Sequence, residues 1–145
     1  MKKHILCMLL LLNISGMLVN AYGSDIVYKN SVIQYADQKP VILNDRTYVP
    51  IRDVFEALDF NVEWNGQTKR VKLSNNIYIM DVDLTTNILS VYETSKGETR
   101  SFELTDKPIL VSGRTMLPLR EILEAVNYSV EWDEQSKSVT IVNGV

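Results

Sequence analysis

Carboxylates are the only acid–base groups that this 145-residue chain supplies in number, with 18 Asp and Glu against a single His and a single Cys. His4 and Cys7 both fall within the first seven residues. A nucleophilic triad needs His or Cys beside its nucleophile, so acyl-transfer chemistry lacks its parts. Asp81 and Asp83 sit two apart, on one face of a predicted strand, and Asp53, Glu56, Glu121 and Glu124 fall on predicted helices. A glycosidase needs two carboxylates facing each other across a cleft, and a calcium site needs converging oxygens. No EF-hand spacing, DxDxDG or HExxH occurs, and beyond residue 23 the glycines stand alone at Gly66, Gly97, Gly113 and Gly144, which excludes a phosphate loop. The sequence therefore assigns no catalytic residue, no metal ligand and no cofactor.

Two other residue types invite a functional reading. Trp64 and Trp132 are the only tryptophans, and exposed indoles stack on sugars. Each alternates with a valine, Val62 or Val130, so the spacing predicts an inward-facing core position instead. Lys69 and Lys137 are then expected to lay their stems over the rings. Arg46, Arg52, Arg114 and Arg120 cluster near predicted helix starts, where they could gather an anion. Arg52 and Arg120 also stand four residues before Glu56 and Glu124, a weak ion-pair spacing worth a few tenths of a kcal/mol. A structural role is the expectation for all eight.

These eight residues lie in a repeat. Residues 39–75 align on residues 107–143 with a constant offset of 68 and no gap, and 15 of the 37 positions are identical. All four prolines and both tryptophans fall inside the copies. Each copy reads as strand, turn, strand, helix, hairpin. Val41, Ile42 and Leu43 form a β-rich run stopped by Asn44-Asp45, or by Ser112-Gly113 in the second copy. Pro50 and Pro118 stand where a first helical residue is wanted, with φ preset and no N–H to leave unpaired. Ile51, Val54, Phe55 and Leu58 then recur at helical spacing, as do Leu119, Ile122, Leu123 and Val126. Asp59 and Asn127 occupy the left-handed position that ends each helix. In the hairpin that follows, a four-residue loop at 65–68 would set Val62 opposite Val71, Glu63 opposite Arg70 and Trp64 opposite Lys69.

Outside the copies, residues 26–28 and 32–35 read as a hairpin, residues 89–93 and 99–103 as another, and residues 76–83 as a strand. No linker rich in Pro, Gly or Ser divides the chain. The expected fold is α+β: antiparallel sheets with two short helices, built from two interlocked pseudo-repeats of about 68 residues.

The first 23 residues differ from the rest. Met1-Lys2-Lys3-His4 is a short positive start, residues 5–12 are uninterruptedly apolar, and small residues end the stretch. This is the pattern of a secretory signal peptide, with cleavage after Ala21 or after Gly23. The apolar core is far shorter than the roughly 20 residues that span a bilayer. Its removal takes Lys2 and Lys3 as well, leaving 13 bases against 18 acids and neither His nor Cys. An exported chain without Cys is held by its core alone, which fits bacterial export. The negative charge argues against nucleic acid, and no later run is long enough to span a membrane.

Gly113-Arg114-Thr115-Met116-Leu117-Pro118-Leu119-Arg120 and Val130-Glu131-Trp132-Asp133 carry a family resemblance over essentially all of residues 24–145. The pattern resembles the copper amine oxidase N-terminal-like, or stalk, domain, with its GRT-x-VPLR helix start, amphipathic helix, V-x-WD and K-x-V-x-I strand. The first copy departs at Asp45, in place of glycine, and at Asn65, in place of Asp. Asp59 and Asn127 stand where the family usually ends its helices with glycine. The resemblance implies a non-catalytic accessory domain of secreted and cell-envelope proteins of Gram-positive bacteria. It does not carry over the oxidase chemistry, whose histidine copper ligands and tyrosine-derived quinone belong to a separate domain. The expectation is a secreted or wall-associated binding module whose partner is cell-wall glycan or an envelope protein. The alternative is a structural protein that self-associates into a homo-oligomer through open sheet edges.

Overall fold

The computed structural model describes residues 24–144 and, ahead of them, the backbone of two short strands, β1 (Leu12–Ile14) and β2 (Met17–Val19), which pair antiparallel. The expected signal peptide, with its cleavage positions and with His4 and Cys7, otherwise lies outside the described residues. From residue 24 the chain runs β3 (Ile26–Tyr28), β4 (Ser31–Val32), β5 (Val41–Leu43), β6 (Arg46–Pro50), α1 (Ile51–Ala57), β7 (Asn61–Asn65), β8 (Arg70–Ser74) and β9 (Tyr78–Asp83). It continues with β10 (Ile88–Glu93), β11 (Glu98–Glu103), β12 (Ile109–Val111), β13 (Arg114–Pro118), α2 (Leu119–Glu124), β14 (Tyr128–Asp133) and β15 (Ser138–Asn143). Three sheets result, in the orders β11-β10-β9-β8-β7, β12-β13-β6-β5 and β14-β15-β3-β4. Mostly antiparallel sheets with two helices make the fold α+β.

The middle sheet joins the two halves. Its inner pair, β6 and β13, runs antiparallel with Met116 opposite Pro50, Leu117 opposite Val49 and Pro118 opposite Tyr48. Val49 and Leu117 occupy the same position of the two sequence copies, and both are fully buried. On either side the outer strands turn back through two-residue bends, Asn44-Asp45 and Ser112-Gly113, with φ of 50° and 60°, and of 50° and 75°. Positive φ at both central residues is the type I′ geometry that matches strand twist. Asp45 adopts it at a steric cost that Gly113 avoids.

Both helices start one residue later than the prolines predict. Pro50 and Pro118 remain extended, with ψ of 126° and 112°, because each still pairs across the β6–β13 ladder. The helical stripes are buried as their spacing requires: Val54 and Phe55 of α1 with Leu58 just past its end, and Leu119, Ile122 and Leu123 of α2 with Val126 just past its end, lie in one core with Leu73, Met80, Leu89 and Ile141. Asp59 and Asn127 take φ of 63° and 62°, turning the chain out of each helix into its hairpin.

Two details of pairing differ from expectation. In the β7–β8 hairpin Val62 stands opposite Leu73, Glu63 opposite Lys72, Trp64 opposite Val71 and Asn65 opposite Arg70. The loop is 66–69, because Asn65 Oδ1 accepts the N–H groups of Gln67 and Thr68 and keeps Asn65 as the last ladder residue. A slip of two leaves every side chain on its expected face. The sheets are also not wholly antiparallel. β15 lies parallel to β3, with Val139 beside Ile26 and Ile141 beside Tyr28, so the first and last strands of residues 24–144 share a sheet.

Candidate binding grooves

Trp64 and Trp132 are not core residues. They are 47% and 46% exposed, while the valines two positions earlier are buried. Alternation fixed the face correctly, and Val71 and Val139, the residues opposite on that face, are buried in the core. But β7 and β14 are the edge strands of their sheets, so no further strand covers the outer side of either indole. Each then forms one wall of a groove.

The larger groove, of about 710 Å³, is walled by Val130, Trp132 and Val139 of the β14–β15 hairpin, by Leu119, Arg120 and Glu121 at the start of α2, and by Asp45, Arg46 and Thr47 at the β5–β6 bend. The smaller, of about 300 Å³, is walled by Val62, Trp64 and Val71, by Ile51, Arg52 and Asp53 at the start of α1, and by Gly113, Arg114 and Thr115 at the β12–β13 bend. Of the twelve residues lining the smaller groove, eleven have a counterpart 68 positions away lining the larger, so the two cavities are one arrangement occurring twice. Each groove is composite: helix and hairpin come from one sequence copy, the bend from the other.

Ion pairs hold this arrangement. Arg46 donates from Nε to Asp106 at 2.9 Å, and Arg114 pairs with Asp37, so each bend is tied to the segment that leads into the other copy. Asp37 and Asp106 went unnoticed in the sequence because one lies two residues before its Lys-Pro and the other one residue before, just outside the ungapped alignment. Arg52 donates to Glu56 at 2.8 Å and Arg120 to Glu124 at 3.4 Å, and Arg120 also donates to the Val130 carbonyl at 2.6 Å. The other two helix carboxylates accept from backbone. Asp53 takes the Ala36 N–H at 3.4 Å, and Glu121 takes those of Thr105 and Asp106 at 2.6 and 3.2 Å.

The expected lysine stacking is replaced at Lys137 by an ion pair with Glu134, whose other oxygen accepts from Trp132 Nε1 at 2.6 Å. Glu134 thereby fixes the indole's orientation, and the Lys137 ammonium followed by the indole N–H holds its carboxyl below the usual range. Lys69 sits at φ 55° at the end of the shorter hairpin's loop, the conformation that Lys137 adopts at 53°.

The carboxylate pair Asp81 and Asp83 does not face a cleft. Arg70 spans both, donating to Asp81 at 2.5 Å and to Asp83 at 2.7 Å. Asp83 is held near a pKa of about 2, first by the Thr85 hydroxyl, then by the N–H groups of Thr85 and Thr86 and by Arg70. A carboxylate so stabilised is a poor proton donor or acceptor at neutral pH. Among the described residues no three His, Cys, Asp or Glu side chains converge as metal ligands, and no helix there is long and apolar enough to cross a membrane. Copper chemistry finds no fit in these residues: none of them is a His or a Cys.

No curated protein and no solved structure matches the chain. The family model of the copper amine oxidase N-terminal domain matches residues 27–141, from β3 to β15 and through both grooves. That span takes in nearly all of the described residues, and the chain belongs to the copper amine oxidase N-terminal domain family.

Proposed function

We propose that the chain is an exported, non-catalytic binding module of the bacterial cell envelope, processed to residues 24–145 and contacting cell-wall glycan or an envelope protein. The family's domain is a non-catalytic module, and the repeat pattern, family and positive-then-apolar start together favour a Gram-positive, secreted or wall-associated protein built as two interlocked pseudo-repeats. One observation carries the binding reading: two half-exposed tryptophans stand at equivalent positions of two equivalent grooves. The half of each indole that packs contributes stability, but the half left in water is uncovered, and a sugar ring or an apolar side chain would cover it.

The test is co-sedimentation of residues 24–145, which hold the whole main core, with Gram-positive wall sacculi beside a wall-free control. Pelleting that soluble wall fragments compete away supports glycan contact. Absence of pelleting removes that partner and leaves the envelope protein. Self-association is the second reading, favoured by β11, the outermost strand of its sheet, which is exposed along all six residues. Sedimentation velocity without wall material reads it directly as a doubled mass.

A further inference from the structure

The two grooves share a plan but not a charge. The smaller is balanced, with Arg52 and Arg114 against Asp37 and Asp53. The larger carries Arg46 and Arg120 against five carboxylates, those of Asp45, Asp106, Glu121, Glu124 and Glu131. Its net charge is therefore three negative, beside an indole whose ring is already oriented by Glu134. Part of the difference is a single exchange at the bend, where Asp45 replaces the Gly113 of the other groove.

Resting on the glycan reading above, we propose that the Trp132 groove selects a glycan bearing free amino groups, a de-N-acetylated hexosamine polymer, while the Trp64 groove has no such preference. The apolar face of a sugar ring stacks on the indole. Its ammonium then meets a concave, acid-rich wall in which field lines are concentrated and counter-charge is attracted. An acetylated amino sugar has the same ring and no charge, so it keeps the stacking and loses the attraction. Fixing Trp132 in advance lowers the ordering cost of that contact, because the ring is held before the ligand arrives.

The experiment titrates the purified protein with glucosamine oligosaccharides and, separately, with N-acetylglucosamine oligosaccharides of the same length, following indole fluorescence. The free-amine oligosaccharide is expected to bind about tenfold tighter at low salt, an advantage that shrinks as ionic strength rises. Trp132→Ala should remove the preference and Trp64→Ala should leave it. Asp45→Asn, which suits the left-handed bend and disturbs no packing, should weaken the amine advantage two- to threefold, roughly what one partly screened charge supplies. Equal affinity for the two oligosaccharides overturns the proposal while sparing the glycan reading. Binding of neither overturns both. A lysine-rich peptide that binds as tightly as the amino glycan also overturns it, since charge alone would then be recognised.

Discussion

Replacing Trp132 with alanine is expected to cost about 2 kcal/mol of stability, roughly half of what Phe55→Ala costs, and to abolish whatever binding the larger groove has. The magnitude follows from exposure. The indole is 46% exposed, so a little over half of it is hidden from water. A fully buried Trp hides up to about 250 Å², so about 130 Å² is at stake. At about 25 cal/mol per Å² this gives about 3 kcal/mol. Residual burial in the unfolded chain lowers it by about a third. Phe55 is wholly buried between helix and sheets, and truncating such a ring costs about 3–5 kcal/mol with its cavity term. Urea denaturation followed by far-ultraviolet circular dichroism measures both variants, with the denaturant slope checked for two-state behaviour. Sacculus co-sedimentation of the same samples reads function. A Trp132→Ala loss equal to that of Phe55→Ala would refute the half-covered indole and return the residue to the core.

Further outcomes are expected elsewhere in the molecule. Gly113→Ala meets no atom within 4 Å, so its cost is backbone alone at φ 75°: about 1 kcal/mol, seen as a melting temperature lower by about 4 °C. Asp45→Gly at the equivalent bend should shift melting upward or leave it level, never lower it. Tyr78→Phe removes the hydroxyl that accepts from Asn127 Nδ2 at 2.7 Å and should cost about 1 kcal/mol by urea denaturation. Asp83 titrates in the folded chain at about 2, below its unfolded value, so its contribution is present above the unfolded pKa and lost as pH falls through about 2. The gap in urea midpoint between wild type and Asp83→Asn should therefore be open at neutral pH and close toward that acid limit.

Local features of this fold were legible where a single residue or a short period carries the physics. The helical stripes from Ile51 and Leu119, and the left-handed exits at Asp59 and Asn127, follow from spacing and backbone preference alone. The one-residue delay at Pro50 and Pro118 was not legible, because it depends on a ladder between segments almost seventy residues apart. Nor was the hairpin loop, since an Asx turn at Asn65 competes with the shorter strand that composition favours. The Trp reading failed for another reason. Alternation reports which face a side chain is on but carries no information on whether its strand lies at the edge of a sheet, as β7 and β14 do. Of the candidate site residues, the grooves gather both tryptophans and the four arginines, whereas Lys69 and Lys137 line neither. The cross-copy pairs Arg46–Asp106 and Arg114–Asp37 became visible only with the strand order.

The parallel ladder between β3 and β15 has a kinetic meaning. The first strand of the domain to be synthesised finds its long partner only when the last one has been made, and β4 offers it just two residues in the interim. Closure of that sheet joins residues 113 apart in sequence, as 139 minus 26 gives for Val139 and Ile26, which places it among the slow steps of folding. A nascent domain would hold Ile26 and Tyr28 away from their partners until Val139 and Ile141 were free. The five-stranded sheet, which joins only strands consecutive in sequence, can close before that step.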